Sequence, residues 1–143
     1  MPAINAGAQL SREGGALMAA WTDDELNKVD AADELQISSL RQDETLSTPV
    51  TIWVVRSGDD LYVRSWKGRG SGWFRGVQAR HEGRISAGGV DKDVNFVEEI
   101  DTGLNDRIDD AYRSKYHRYG SQYVDPMLAR QARAATIKLV PRS

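Results

Sequence analysis

The densest chemistry in the chain lies in one decapeptide, Arg64-Ser65-Trp66-Lys67-Gly68-Arg69-Gly70-Ser71-Gly72-Trp73. Cations, hydroxyls and glycines alternate there. Glycines let backbone amides approach an anion, and a helix start presents unpaired N–H groups with a favourable dipole. Arg64 and Lys67 add charge, and Ser65 and Ser71 add hydroxyl donors. The segment can therefore cradle a phosphate; the alternative is a solvated turn with surface cations. It is not a P-loop, which requires Gly-Lys-Ser/Thr at fixed spacing. Trp53, Trp66 and Trp73 supply flat surfaces that either stack on a planar ring or fill a small core. Trp53 sits in an apolar run and reads as core, whereas Trp66 interrupts a polar one and reads as a ligand contact. Tyr112, Tyr116 and Tyr119 share one helical face, and Tyr123 follows. A phenol among them either donates a proton beside a reacting group or packs in the core with its hydroxyl at the rim.

Other chemistries find little support. The chain has no cysteine, which removes disulfides, thiolate metal sites and thiol nucleophiles. Its two histidines, His81 and His117, lack ligand spacing, so neither a zinc site nor a Ser-His-Asp triad is expected. Asp91-Lys92-Asp93 reads as a hairpin turn rather than a metal site, and adjacent Glu98 and Glu99 point to opposite faces of a strand. A net charge of -2 argues against general nucleic-acid binding, which needs a basic surface. No run is long and apolar enough for a transmembrane helix, so a cytoplasmic protein without a membrane partner is expected.

A length of 143 residues suits one domain with a real core. The Gly/Ala-rich residues 1–20 read as a mobile arm, with Met18 as a possible start, and residues 21–143 as the domain. Thr22-Asp23-Asp24-Glu25 is a capping box, predicting a helix from Asp23 to Ala32. Strands are expected at 35–40, 49–56, 61–66, 84–87, 94–100 and 134–140, the second being the strongest because β-branched and aromatic residues crowd it. Ser57-Gly58-Asp59-Asp60 is a hairpin turn, and another is expected around Gly88-Gly89. Helices are expected through Trp73–Ala79 with Ser71 as cap, over 105–119, and over 126–133. The fold class is therefore α+β, mainly β: a six-stranded antiparallel split β-barrel with flanking helices, closed to avoid free edges.

The segments Pro49–Val55, Gly58–Ser65, Gly72–Arg75, Ala87–Gly89, Ala111–Tyr116 and Ala134–Pro141 resemble the bacterial family called domain of unknown function 2255, over roughly Trp21–Arg142. Their order is also similar to that of the deazaflavin-dependent nitroreductases and the wider FMN-binding split-barrel group. Those nitroreductases carry a Gly-Arg-Lys-Ser-Gly phosphate loop before the proline-containing strand. Here Leu40-Arg41-Gln42-Asp43-Glu44-Thr45 stands in its place, with Arg41 its one basic residue.

The resemblance implies FMN or a deazaflavin coenzyme as cofactor, hydride transfer to a small organic acceptor, and a homodimer with the site between subunits. It implies that Arg41, Arg64, Ser65, Lys67, Gly72 and Trp73 hold the phosphate end, that Thr51 and Trp53 border the ring, and that Tyr112 and Tyr116 act as proton donors. Two other readings stay open: a non-catalytic module for another anionic small molecule, and an interaction domain whose own side chains fill the pocket.

Overall fold

The computed structural model describes residues 20–142; residues 1–19, with most of the proposed arm and Met18, lie outside the described residues. The capping box forms as its sequence requires. The Glu25 amide donates to the Thr22 hydroxyl at 3.1 Å, the Thr22 amide to the Glu25 carboxylate at 2.9 Å, and α1 runs Asp23–Ala31. Seven strands follow among the described residues: β1 Leu35–Ser39, β2 Val50–Ile52, β3 Val55–Ser57, β4 Asp60–Arg64, β5 Glu82–Ala87, β6 Val90–Glu98 and β7 Thr136–Pro141. They form one antiparallel sheet in the order β2-β1-β5-β6-β7-β4-β3.

The expected count of six is corrected to seven because the run at 49–56 is broken. Val50–Ile52 pairs with β1, whereas Val55–Ser57 pairs with β4. The two outermost strands of the sheet are thus halves of one run joined through Trp53-Val54, and the sheet curls on itself. At the break the Val54 amide donates to the Tyr116 hydroxyl at 3.1 Å instead of to a neighbouring strand. Gly88 and Gly89, at φ of +59° and +88°, make the two-residue turn between β5 and β6. Asp91–Asp93 is therefore not a turn. Those residues lie on β6, where both aspartates bind Arg84 at 2.7 Å.

Inward residues alternate with outward ones and divide the core in two. Inside the curl, Leu35, Ile37, Val54, Leu61, Val63, Ile85, Phe96, Ile137 and Leu139 meet Leu26 and Val29 of α1 and Phe74 and Val77 of α2, Gly72–Arg80. Trp21 joins them and donates its indole N–H to the Leu139 carbonyl at 2.9 Å. Outside it, Val55 and Tyr62 face Ile108, Tyr112 and Tyr116 of α3, Thr102–Tyr116, and Val124 and Met127 of α4, Ser121–Leu128. Helix α3 starts earlier than its apolar spacing suggests because Asp101 caps it, accepting from the Leu104 amide at 2.8 Å. The expected helix at 126–133 is instead α4 and a short α5, Arg130–Arg133. Among the described residues, no helix is long and apolar enough to cross a membrane.

Lys92 reaches across to Glu25 at 2.8 Å. That hydrogen bond first, then the Thr22 amide, lowers the Glu25 carboxyl below its ordinary 4.5. Arg69 does the same to Glu98. A carboxyl whose folded pKa is lowered contributes stability above its unfolded value and loses it as pH falls through the folded value. As pH drops below the ordinary 4.5, the urea midpoint is therefore expected to fall, and Glu25→Gln to flatten that fall. An unchanged acid slope in the variant would contradict the assignment.

Candidate functional site

Where β4 ends, the chain enters the glycine-rich segment and starts α2, and this corner faces β2 and α4. Between them lies an open cleft of about 890 Å3. Val50, Thr51, Ile52 and Trp53 line one side; Arg64 through Lys67 and Gly70 through Trp73 line another; Gln122, Tyr123, Pro126 and Met127 come from α4. Among the described residues, three indoles, those of Trp53, Trp66 and Trp73, take part, and no carboxylate does.

Each aromatic is held differently. Trp53 lies flat on Tyr116, with centroids 3.9 Å apart and planes 2° from parallel. Trp73 meets Phe74 edge-on at 5.9 Å and so is braced by the inner core. Trp66 is 53% exposed, and its backbone carbonyl accepts from Gln131 at 2.9 Å. The Lys67 ammonium sits 5.4 Å from the Trp66 ring centre and has no ion-pair partner among the described residues.

Two of the expected roles change in this geometry. Arg64 touches the cleft, but its guanidinium is turned into the protein with its side chain wholly buried. Nε donates to Thr136 Oγ1 at 2.9 Å, Nη1 to Asp109 Oδ1 at 2.5 Å and the Met127 carbonyl at 3.0 Å, and Nη2 to the Asn105 carbonyl and Oδ1 at 3.1 and 2.9 Å. A guanidinium has five N–H donors, and all are used, so Arg64 has none left for a phosphate. Ser71 precedes α2 without capping it. Its hydroxyl accepts instead from Ser65 at 2.8 Å, and α2 begins uncapped beside the cleft.

Three expected site residues lie elsewhere. Arg41 folds back on its own turn, donating to the Leu46 carbonyl at 3.2 Å, and is not in the lining. Tyr112 and Tyr116 are wholly buried in the outer core. The Tyr116 hydroxyl donates to the Asp33 carbonyl at 2.7 Å, lies 3.0 Å from that of Val54, and is raised above the ordinary tyrosine value by burial. The Tyr112 hydroxyl lies near the Arg64 backbone without making a hydrogen bond, and burial raises it too. Thr51, Trp53, Ser65, Lys67, Gly72 and Trp73 do come together in the cleft. The α4 contribution was missed. Gly120, at φ +94°, ends the preceding helical turn, so Ser121 opens a new helix five residues before Pro126 and aims Tyr123 at the cleft.

Residues 25–139 match the family model described as "Uncharacterized protein conserved in bacteria (DUF2255)". The chain belongs to the DUF2255 family. No curated protein matches it by sequence. Among solved structures, a presumptive pyridoxamine 5′-phosphate oxidase from Listeria innocua superposes with a TM-score of 0.61 at 15% identity, covering 85% of this chain and 93% of that one. A conserved hypothetical protein from Mycobacterium tuberculosis gives 0.59 at 10% identity, with 90% and 84% covered. An FAD-binding protein from Mesorhizobium loti gives 0.54 at 18%, with 89% and 94% covered. At these identities the likeness is one of fold, and this DUF2255 member shares the split-barrel architecture of those proteins.

Proposed function

We propose that the cleft binds a flavin-type cofactor, FMN or a deazaflavin coenzyme, and that the protein passes hydride from it to a small organic acceptor. The observation that carries this reading is the wall itself: among the described residues, three indoles and no carboxylate around an open cleft of about 890 Å3. A planar, electron-poor ring with an anionic tail suits such a wall. The shared fold with an FAD-binding protein supports the reading. Lys67, Ser71 and the start of α2 at Gly72 and Trp73 hold the anionic end, while Thr51 and Trp53 border the ring. Arg64 shapes the floor without touching the anion. Tyr123 is the phenol on the cleft, and it takes the proton-donating place expected of Tyr112 and Tyr116. A bound flavin supplies the hydride chemistry; the protein positions and shields it. By analogy with split barrels whose sites lie between subunits, the working form is a homodimer.

One observation favours a second reading. With Arg41 on its own turn and Arg64 saturated, Lys67 is the available cation among the described residues of the cleft. A cleft so equipped also suits a non-catalytic module that holds an anionic small molecule.

Titration of the purified protein with FMN and with the deazaflavin coenzyme, followed by ligand fluorescence, tests both readings. Saturable binding is expected, weakened about tenfold in Lys67→Ala by loss of one charge-assisted contact. Absence of binding by either compound overturns the oxidoreductase reading and leaves the non-catalytic module.

A further inference from the structure

We propose that Trp53, Tyr119 and Asp33 form a one-electron relay leading from the cleft to the protein surface. It does not depend on which ligand the cleft holds; it needs only a one-electron oxidant that reaches Trp53.

Indoles and phenols are the side chains that most readily lose a single electron in a chain without cysteine. Trp53 lines the cleft and touches two phenols. Its ring centre lies 3.9 Å from that of Tyr116 and 5.6 Å from that of Tyr119. At such separations electron exchange needs no further carrier. Proton chemistry then selects between the two tyrosines. A phenol gives up an electron readily when its proton can leave with it. The Tyr116 hydroxyl donates to a backbone carbonyl, which is no base, and is wholly buried. The Tyr119 hydroxyl donates at 2.6 Å to the carboxylate oxygen Oδ2 of Asp33. Arg118 donates to the same carboxylate and, at 3.2 Å, to the Tyr119 oxygen. Its hydrogen bond, then that from Tyr119, holds the Asp33 carboxyl below the usual carboxylate range, so the acceptor is ionised at neutral pH. Tyr119 is 40% exposed, so the relay ends in water.

The steps balance. The oxidant, a diffusible small inorganic radical such as the azide radical, takes one electron from Trp53 and is reduced to its anion. Tyr119 passes one electron to Trp53, restoring it, while its phenolic proton moves to Asp33 Oδ2. The products are a neutral tyrosyl radical and a protonated Asp33. A dissolved one-electron reductant, such as a thiolate or ascorbate, returns the electron at the surface, and the proton goes back to the phenolate. Oxidising equivalents are thus drained from the cleft before they damage its wall.

The test uses azide radicals generated by pulse radiolysis on the full chain carrying Trp66→Phe, which removes the exposed indole at the mouth. Transient absorption follows conversion of tryptophanyl to tyrosyl radical. A concentration-independent conversion is expected, lost in Trp53→Phe and in Tyr119→Phe, and slowed about tenfold or more in Asp33→Asn because the proton acceptor is gone. Tyr119→Phe and Asp33→Asn alter partly exposed side chains and leave the backbone carbonyl that Tyr116 uses, so both variants report on a folded protein, confirmed by circular dichroism. Conversion that persists in Tyr119→Phe, or that runs at the parental rate in Asp33→Asn, overturns the relay.

Discussion

Arg64→Met is expected to cost about 3–5 kcal/mol of folding stability, because it leaves buried acceptors without their cation. Asp109 would keep Arg133, at 2.6 Å, but Asn105, Thr136 and the Met127 carbonyl would lose donors inside the protein. Lysine does not substitute, since its ammonium carries three donors where the guanidinium supplies five in a planar fork. Urea unfolding of Arg64→Met and Arg64→Lys measures this. A loss below about 1 kcal/mol in Arg64→Met would show that the network is not needed. The same argument governs any binding experiment: an Arg64 variant that fails to bind reports a loosened outer core. Lys67, exposed and without an ion-pair partner among the described residues, probes the ligand.

The two buried tyrosines of α3 should respond differently to one atom's removal. Tyr116→Phe is expected to cost about 1–3 kcal/mol, because the Val54 amide at the strand break loses its acceptor and stays buried. Tyr112→Phe removes a buried hydroxyl that has no hydrogen-bond partner among the described residues and is expected to change stability by less than about 0.5 kcal/mol or to raise it. Thermal and urea midpoints of the two variants, measured together, separate these outcomes. Equal losses would mean that the Tyr112 hydroxyl is bonded after all. Neither ring lines the cleft, so Tyr112→Phe should also leave ligand affinity unchanged.

Local rules made much of this fold legible. The capping box, the glycine turn and the β-branched strands are each decided by neighbours a few residues apart. The break at Trp53-Val54 was not legible, because Val50 to Val55 is one continuous run of β-branched and aromatic residues, and what interrupts it is a hydroxyl 62 residues away. The cleft was partly legible for the same reason. Ser65, Lys67, Gly72 and Trp73 are close in sequence, and a strand end leading into a helix start keeps them close in space. The role of Arg64 was hidden, since its partners Asn105, Asp109 and Thr136 lie 41, 45 and 72 residues away. Helical spacing placed Tyr112 and Tyr116 on one face without saying that the face meets β3 and β4. The sequence signal for α4 was Gly120, whose left-handed backbone separates one helix from the next.

The bend at Trp53-Val54 also bears on how copies of this chain avoid one another. An unpaired strand edge is a template on which a second chain can add, and long flat edges invite aggregation. Here the two outermost strands have three residues each and are consecutive pieces of one backbone. An incoming strand would find a ladder only three residues long before the chain turns away. The same two residues that put an indole on the cleft wall thus blunt the sheet against runaway strand addition.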